Sequence, residues 1–172
     1  MDEISWESTW KENASAFDRV RSVVMTVEKA RSAQWIADQA RVAESTGRDH
    51  LDRLAEMGVV VSEATNSGRQ YRPDPAYVRF QEIRELTKEY EPDTLSDFIV
   101  DIKASIDELQ ETYDESSPTA LREAATDEDI STAKSRELLQ AAADWEHYAY
   151  RLSLIEDAIK RYDEYTGTKA SA

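Results

Sequence analysis

Ser45, Thr46, Arg48, Asp49, Asp52 and Arg53 crowd polar and charged groups into one short stretch of the chain. A guanidinium can reach the two acceptors of guanine bidentately, a carboxylate accepts from the cytosine amino group, and a hydroxyl suits either a base or a phosphate. On that chemistry Arg48 matches guanine, Asp49 matches cytosine, Ser45 and Thr46 match base or phosphate, and Asp52 is a further candidate contact. Arg53, near the far end of the stretch, suits the phosphate backbone. A second polar group follows at Asn66, Ser67, Arg69 and Arg72. Arg69 beside Gly68 is the natural contact of a turn tip, with Arg72 behind it, while Asn66 and Ser67 suit sugar or phosphate oxygens. Each residue also has a plain structural reading. Arg48 and Arg53 can pair with Asp49, Asp52 or Glu56 at helical spacing, Arg69 can be an ordinary solvated turn residue, and His50 reads as a packed side chain rather than a pH sensor.

Other chemistries are poorly served. The chain has no Cys and two His, His50 and His147, far apart in sequence, so neither a thiolate nor a histidine metal site is expected. Carboxylate groups such as Asp127-Glu128-Asp129 and Glu156-Asp157 have no glycine-bounded or strand-end setting and read as a solvated face. Without a nucleophile, metal or phosphate-loop constellation, no enzyme and no cofactor are expected. Trp6 and Trp10 are expected to pack on the N-terminal domain or on a partner chain. The C-terminal aromatics fit core packing better than a ligand cavity.

The elements that must position the polar stretch follow from periodicity and punctuation. Phe17, Val20, Val24 and Val27 recur at helical spacing, predicting a first helix over 14–27. Ser32 is a suitable N-cap for a short helix over 33–40, with Trp35 and Ile36 inward. A third helix runs from about Glu44 to Met57, with Leu51, Leu54 and Met57 on its apolar side and Gly58 as its stop. Val59 to Ala64, the turn Thr65-Asn66-Ser67-Gly68 and Arg69 to Pro73 make a hairpin. Next comes a helix over 77–90 with Phe80, Ile83 and Tyr90 inward, then one after Pro92 capped by Asp93 or Thr94.

Two apolar runs dominate the remainder. Leu95, Ile99, Ile102, Ile106, Leu109 and Tyr113 alternate spacings of four and three. Beyond a break at Ser116-Ser117-Pro118 and an acidic stretch, so do Leu138, Ala141, Trp145, Tyr148, Leu152, Ile155, Ile159 and Tyr162. Both are coiled-coil seams. The second helix, read over 129–165, is longer than the first seam can cover, so the second run is assigned to a homodimer interface.

Net charge is −15, but unevenly placed. Residues 15–75 carry nine charges of each sign, whereas residues 76–172 carry 23 acidic and 11 basic side chains. Fourteen Arg against seven Lys in an acidic chain is an adaptation suited to molar salt, where like-charge repulsion is screened. A halophilic, archaeal source is expected. Neither a leader-like start nor a long apolar segment is present, pointing to the cytoplasm and away from a membrane.

The segment from Ile36 to Val60 resembles the helix-turn-helix of bacterial and archaeal winged-helix regulators of the broad ArsR, MarR and TrmB-like group. Val42 matches the apolar turn position, Thr46 the polar residue early in the recognition helix, His50-Leu51-x-x-Leu54 its core, and Gly58-Val59-Val60 the exit into the wing. Ala43 departs from the usual Ser or Thr cap. Gly47 replaces an apolar residue, which leaves room for close approach to a phosphate. The lead-in from Trp6 and Trp10 to Phe17 looks like a haloarchaeal branch. The resemblance implies a mainly α protein: an N-terminal extension over 1–14, a winged helix-turn-helix over 15–75, a helical dimerisation region over 76–166 and a frayed tail over 167–172. The implied function is sequence-specific binding of double-stranded DNA as a homodimeric transcriptional regulator, commonly a repressor. Two alternatives belong to other classes, a winged helix used for protein–protein contact and a regulator with an unknown small-molecule or protein effector bound by the helical region.

Overall fold

The structure is a computed structural model and describes residues 14–167. Trp6 and Trp10, and most of the expected tail, lie outside the described residues. The chain divides into two compact units, Met1–Phe80 and Gln81–Ala172.

In the first unit, α1 (Ala16–Val24) leads to β1 (Arg31–Ser32), α2 (Ala33–Ala40) and α3 (Glu44–Glu56), followed by β2 (Val60–Thr65) and β3 (Gly68–Pro73). Ser15 starts α1 by accepting from the Asp18 backbone N–H at 3.1 Å, and Ser32 starts α2 by accepting from that of Trp35 at 3.2 Å, each satisfying a donor that the first helical turn leaves open. α1 is shorter than its apolar spacing suggests, ending at Val24 with Met25 as its cap. The α2–α3 turn passes through Arg41 in the left-handed region, φ 54°. Gly58 ends α3 with φ 70°, a conformation that glycine adopts without strain.

The sheet has three antiparallel strands in the order β1-β3-β2. Register runs from Val60 opposite Pro73 to Thr65 opposite Gly68, while Arg31 lies opposite Tyr71. The hairpin was legible as a pattern. The two-residue β1 was not, because a strand that short has no periodicity.

One core fills this unit, built from Val20 and Val24 of α1, Ile36 of α2, Leu51 and Leu54 of α3, Val60 and Tyr71. Gly47 is buried with them. A Cβ there would stand 2.7 Å from the Ala37 Cβ, so the glycine serves the α2–α3 crossing and the room anticipated for a phosphate is taken by protein. Trp35 and Met57, expected inward, are 38% and 60% exposed. Trp35 turns out because Ala33, Ile36, Ala37 and Ala40 already form α2's buried stripe. Met57 lies just past the last helical turn, as the C-cap of α3.

The division between units falls within α4 (Pro75–Glu89), which Asp74 caps through the backbone N–H groups of Ala76 and Tyr77. Ile83 is buried and Tyr90 packs beside it, but Phe80 is exposed. Thereafter come α5 (Pro92–Tyr113), α6 (Pro118–Ala124), α7 (Thr132–Lys160) and α8 (Tyr162–Thr166). α5 begins at Pro92 itself, with Glu91 in the cap position and no side-chain cap bond. Neither Asp93 nor Thr94 caps it, because both already lie inside the helix.

The acidic stretch read as a break contains α6. Ser117 accepts from the Ala120 N–H at 3.2 Å and Pro118 occupies the first turn, where a proline's missing N–H is harmless. Seven residues are too few to show a period. This helix changes the account of the long seam. Leu138, Ala141 and Trp145 of α7 are buried with Leu121 and Ala125, against Ile106, Leu109 and Tyr113 of α5. Farther along, Ile155 is buried with Leu95, Ile102 and Ile83, and Tyr148, Leu152, Ile159 and Tyr162 pack on that second cluster. α7 itself spans 29 residues, about 44 Å at the helical rise, and both halves are covered from within the chain. The premise that a second copy must cover Leu138–Tyr162 therefore fails.

No helix among the described residues is long and apolar enough to cross a membrane.

Candidate nucleic-acid interface

The polar stretch lies on the leading turns of α3. Ala43 occupies the cap position and makes no side-chain cap bond, so the first turn keeps open backbone donors at its positive end. Ser45, Arg48 and Asp49 are exposed and Thr46 is half-buried, while Gly47, Leu51 and Leu54 face the core. The spacing of those three inward positions fixes which side chains look out.

Across from this leading end stands the β2–β3 turn. Thr65 holds it in shape, its Oγ1 donating to the Gly68 carbonyl at 2.7 Å and accepting from the Ser67 N–H at 3.2 Å. Gly68 at φ 103° supplies the bend. Asn66, Ser67 and Arg69 are exposed at the tip. Between turn and helix lies a groove of about 300 Å³, with Glu44 and Arg48 on one wall, Ser67, Gly68 and Arg69 on another, and Ser32, Ala33 and Gln34 of the β1–α2 junction on a third. Two elements predicted separately thus line one concavity. Gln34 and Ser32 also belong to it; the sequence reading took Ser32 only as a cap and passed over Gln34, because a lone polar residue early in a short helix carries no signal.

The charges in this groove are not free. Arg48 bonds Glu44 one turn back at 2.5 Å, Arg69 meets Asp52 at 3.3 Å and Arg72 meets Glu63 at 2.7 Å. Pairing of Arg48 at helical spacing was anticipated, but with Asp49, Asp52 or Glu56 rather than Glu44. Arg53 lies over the Phe17 ring at 5.5 Å, and His50 packs edge-on to the same ring at 5.6 Å. His50 is thereby a packed residue.

Asp52 departs most from expectation. Its Oδ1 accepts from the Tyr71 hydroxyl at 2.8 Å as well as from Arg69. A carboxylate so engaged braces β3 against α3, while its side chain remains 44% exposed. Burial first, and then the bond to Asp52, holds the Tyr71 phenol above its ordinary value. Arg69 is raised as well, by the Tyr71 hydroxyl first and Asp52 after it. The triad was not legible because Asp52 and Tyr71 are 19 residues apart.

The sequence model of a family of unknown function, DUF7342, matches residues 14–164. The chain belongs to that family. No curated protein and no solved structure matches it. The match runs through both units of this DUF7342 chain, from the residue before the α1 cap to within α8.

The helical unit has a smaller concavity, about 260 Å³, where Glu82, Glu85 and Glu89 surround Arg151 beside Tyr90. It falls below the usual range for small-molecule sites. Among the described residues no three His, Cys, Asp or Glu side chains gather as a metal site.

Proposed function

We propose that residues 14–80 form a winged helix-turn-helix that binds double-stranded DNA, and that the chain acts as a transcriptional regulator. The observation carrying this reading is the shared groove: the exposed leading end of α3 and the tip of the β2–β3 turn line one concavity, to which Arg48 and Arg69 both belong. In such a fold the helix enters the major groove with its N-terminal side chains toward base edges, and the hairpin reaches the backbone beside it. Arg48 and Asp49 are the base readers, Ser45 and Thr46 serve base or phosphate, and Asn66, Ser67 and Arg69 contact the backbone. Arg53 and Arg72 act at the edge of the footprint. Asp52 sets the angle between helix and wing. A homodimer stays part of the proposal.

Selection of genomic fragments on the full chain tests this reading. Recovery of a recurrent sequence by the wild type, lost in Arg48→Ala/Arg69→Ala, is the expected result. Recovery of no common sequence, or the same sequences by both proteins, would overturn it.

A second reading has one observation in its favour. Arg48, Arg69 and Arg72 each hold a carboxylate, which lowers their attraction for phosphate and suits a winged helix that docks on another protein. Such a surface would bind its partner with little salt dependence, whereas binding to a duplex weakens steeply as salt rises.

A further inference from the structure

The paired arginines pose a question of charge. Turning Arg48, Arg69 or Arg72 toward a phosphate leaves Glu44, Asp52 or Glu63 near the same polyanion, so the net electrostatic gain is small. A protein that binds duplex DNA needs cations without a carboxylate of their own, because neutralised phosphates release the counterions that drive association.

Arg53 is one, engaged with the Phe17 ring, and two more lie beside the groove. Lys29 and Arg31 are both exposed, and neither forms an ion pair with a carboxylate among the described residues. The Arg31 guanidinium lies over the exposed Trp35 ring, 4.9 Å from its centre, an arrangement that orders the long side chain while leaving its donors outward. Lys29, Arg31 and Trp35 line a second concavity of about 400 Å³ together with Thr26, Val27 and Glu28. Its single carboxylate, Glu28, faces two cations. The start of α2 separates the two concavities: Ser32, Ala33 and Gln34 line the first, Arg31 and Trp35 the second.

We infer that Lys29 and Arg31, the latter held on the Trp35 face, form a phosphate-backbone clamp beside the groove and supply most of the electrostatic drive for duplex binding. The inference rests on the DNA-binding reading of residues 14–80. It assigns base reading to the paired Arg48 and phosphate neutralisation to the unpaired Lys29 and Arg31. Trp35, set outward on a helix with a complete buried stripe, has a use in this scheme.

The test measures binding of the full chain to a labelled mixed-sequence duplex by fluorescence anisotropy, from about 50 to 200 mM salt. Each phosphate contact removed lowers the slope of log affinity against log salt by about 0.9. Lys29→Ala/Arg31→Ala is expected to lower it by about 1.8, Lys29→Ala alone by about 0.9, and the charge-keeping Lys29→Arg/Arg31→Lys by nothing. Arg48→Ala should change the slope by less than Lys29→Ala does. A slope unchanged in both alanine variants, with the wild type still binding, overturns the clamp and leaves the DNA-binding reading standing. A wild type that does not bind the duplex overturns both.

Discussion

The short helix α3 and the long helix α7 differ in how much of their surface the rest of the chain covers. α3 spans 13 residues, buries Gly47, Leu51 and Leu54, and leaves Ser45, Arg48 and Asp49 at its leading end bare. α7 spans 29 residues and buries seven, under α5 and α6 in its first half and under α5 with Ile83 in its second. The longer, more apolar pattern looked like the one in need of a partner, yet it is the one satisfied within the chain. An apolar period thus shows that a helix will be covered without showing by what. The exposed polar end of α3 has no comparable packing role, and a function is therefore sought there.

Trp145→Ala gives the largest expected effect. Trp145 is 5% exposed beside Leu121, Ala125 and Leu138, and truncating a buried tryptophan costs about 3–5 kcal/mol. Urea unfolding followed by circular dichroism should show that loss. The loss should be the same at every protein concentration, since the cover of Trp145 lies in the same chain. A loss that shrank as concentration rose would mean that a second copy contributes to the cover of Trp145, and the contrast between α3 and α7 would fail.

Gly47→Val probes the other side of the comparison. The new Cβ must share space with the Ala37 Cβ at 2.7 Å, and overpacking of this kind costs about 1–3 kcal/mol. Combining it with Ala37→Gly should show a favourable coupling in a double-mutant cycle, even though the added glycine weakens α2 by itself. Simple additivity would mean that the two helices do not touch at Gly47.

Legibility in the sequence follows the same physical line. Local chemistry could be read. Ser32 as cap, the limits of α2, the stop at Gly58 and the turn before Gly68 each depend on a few adjacent residues. What escaped depends on distant partners or on pieces too short for a period. α6 has seven residues, β1 has two, and both matter to packing. The candidate site divides likewise. The exposure of Arg48 and Asp49 follows from inward Leu51 and Leu54, but the bracing role of Asp52 needs Tyr71 from another strand. Lys29 and Arg31 escaped because isolated cations before a helix have no pattern, and what sets them apart is that Arg48 and Arg69, which line the neighbouring groove, are paired.

Tyr71→Phe tests whether the Asp52 contact positions the β2–β3 hairpin. The phenol donates to Asp52 Oδ1 at 2.8 Å, and losing one hydrogen bond of this class costs about 1–2 kcal/mol at a partly solvated acceptor. Loss of stability together with weaker duplex binding is expected, because the hairpin tip would lose its brace to α3. If binding were unaffected, the angle between turn and helix would be set elsewhere.

The smallest effect concerns the bond between α6 and α7 at the surface. Arg122 donates to both carboxylate oxygens of Glu146, at 3.1 and 2.6 Å, and this hydrogen bonding holds the Glu146 carboxyl below its ordinary value. A carboxyl whose folded value lies below its unfolded one stabilises the fold above the unfolded value, about pH 4.3, and that contribution is lost as pH falls through the folded value. Glu146→Gln should therefore be slightly less stable than wild type near neutrality, with the difference closing on acidification, as read from urea midpoints between about pH 7 and 3. Added salt should shrink the neutral-pH difference, because both partners are exposed. A difference that stayed constant down to the acid end would assign the effect to packing, and α6 would then cover α7 by its apolar residues alone.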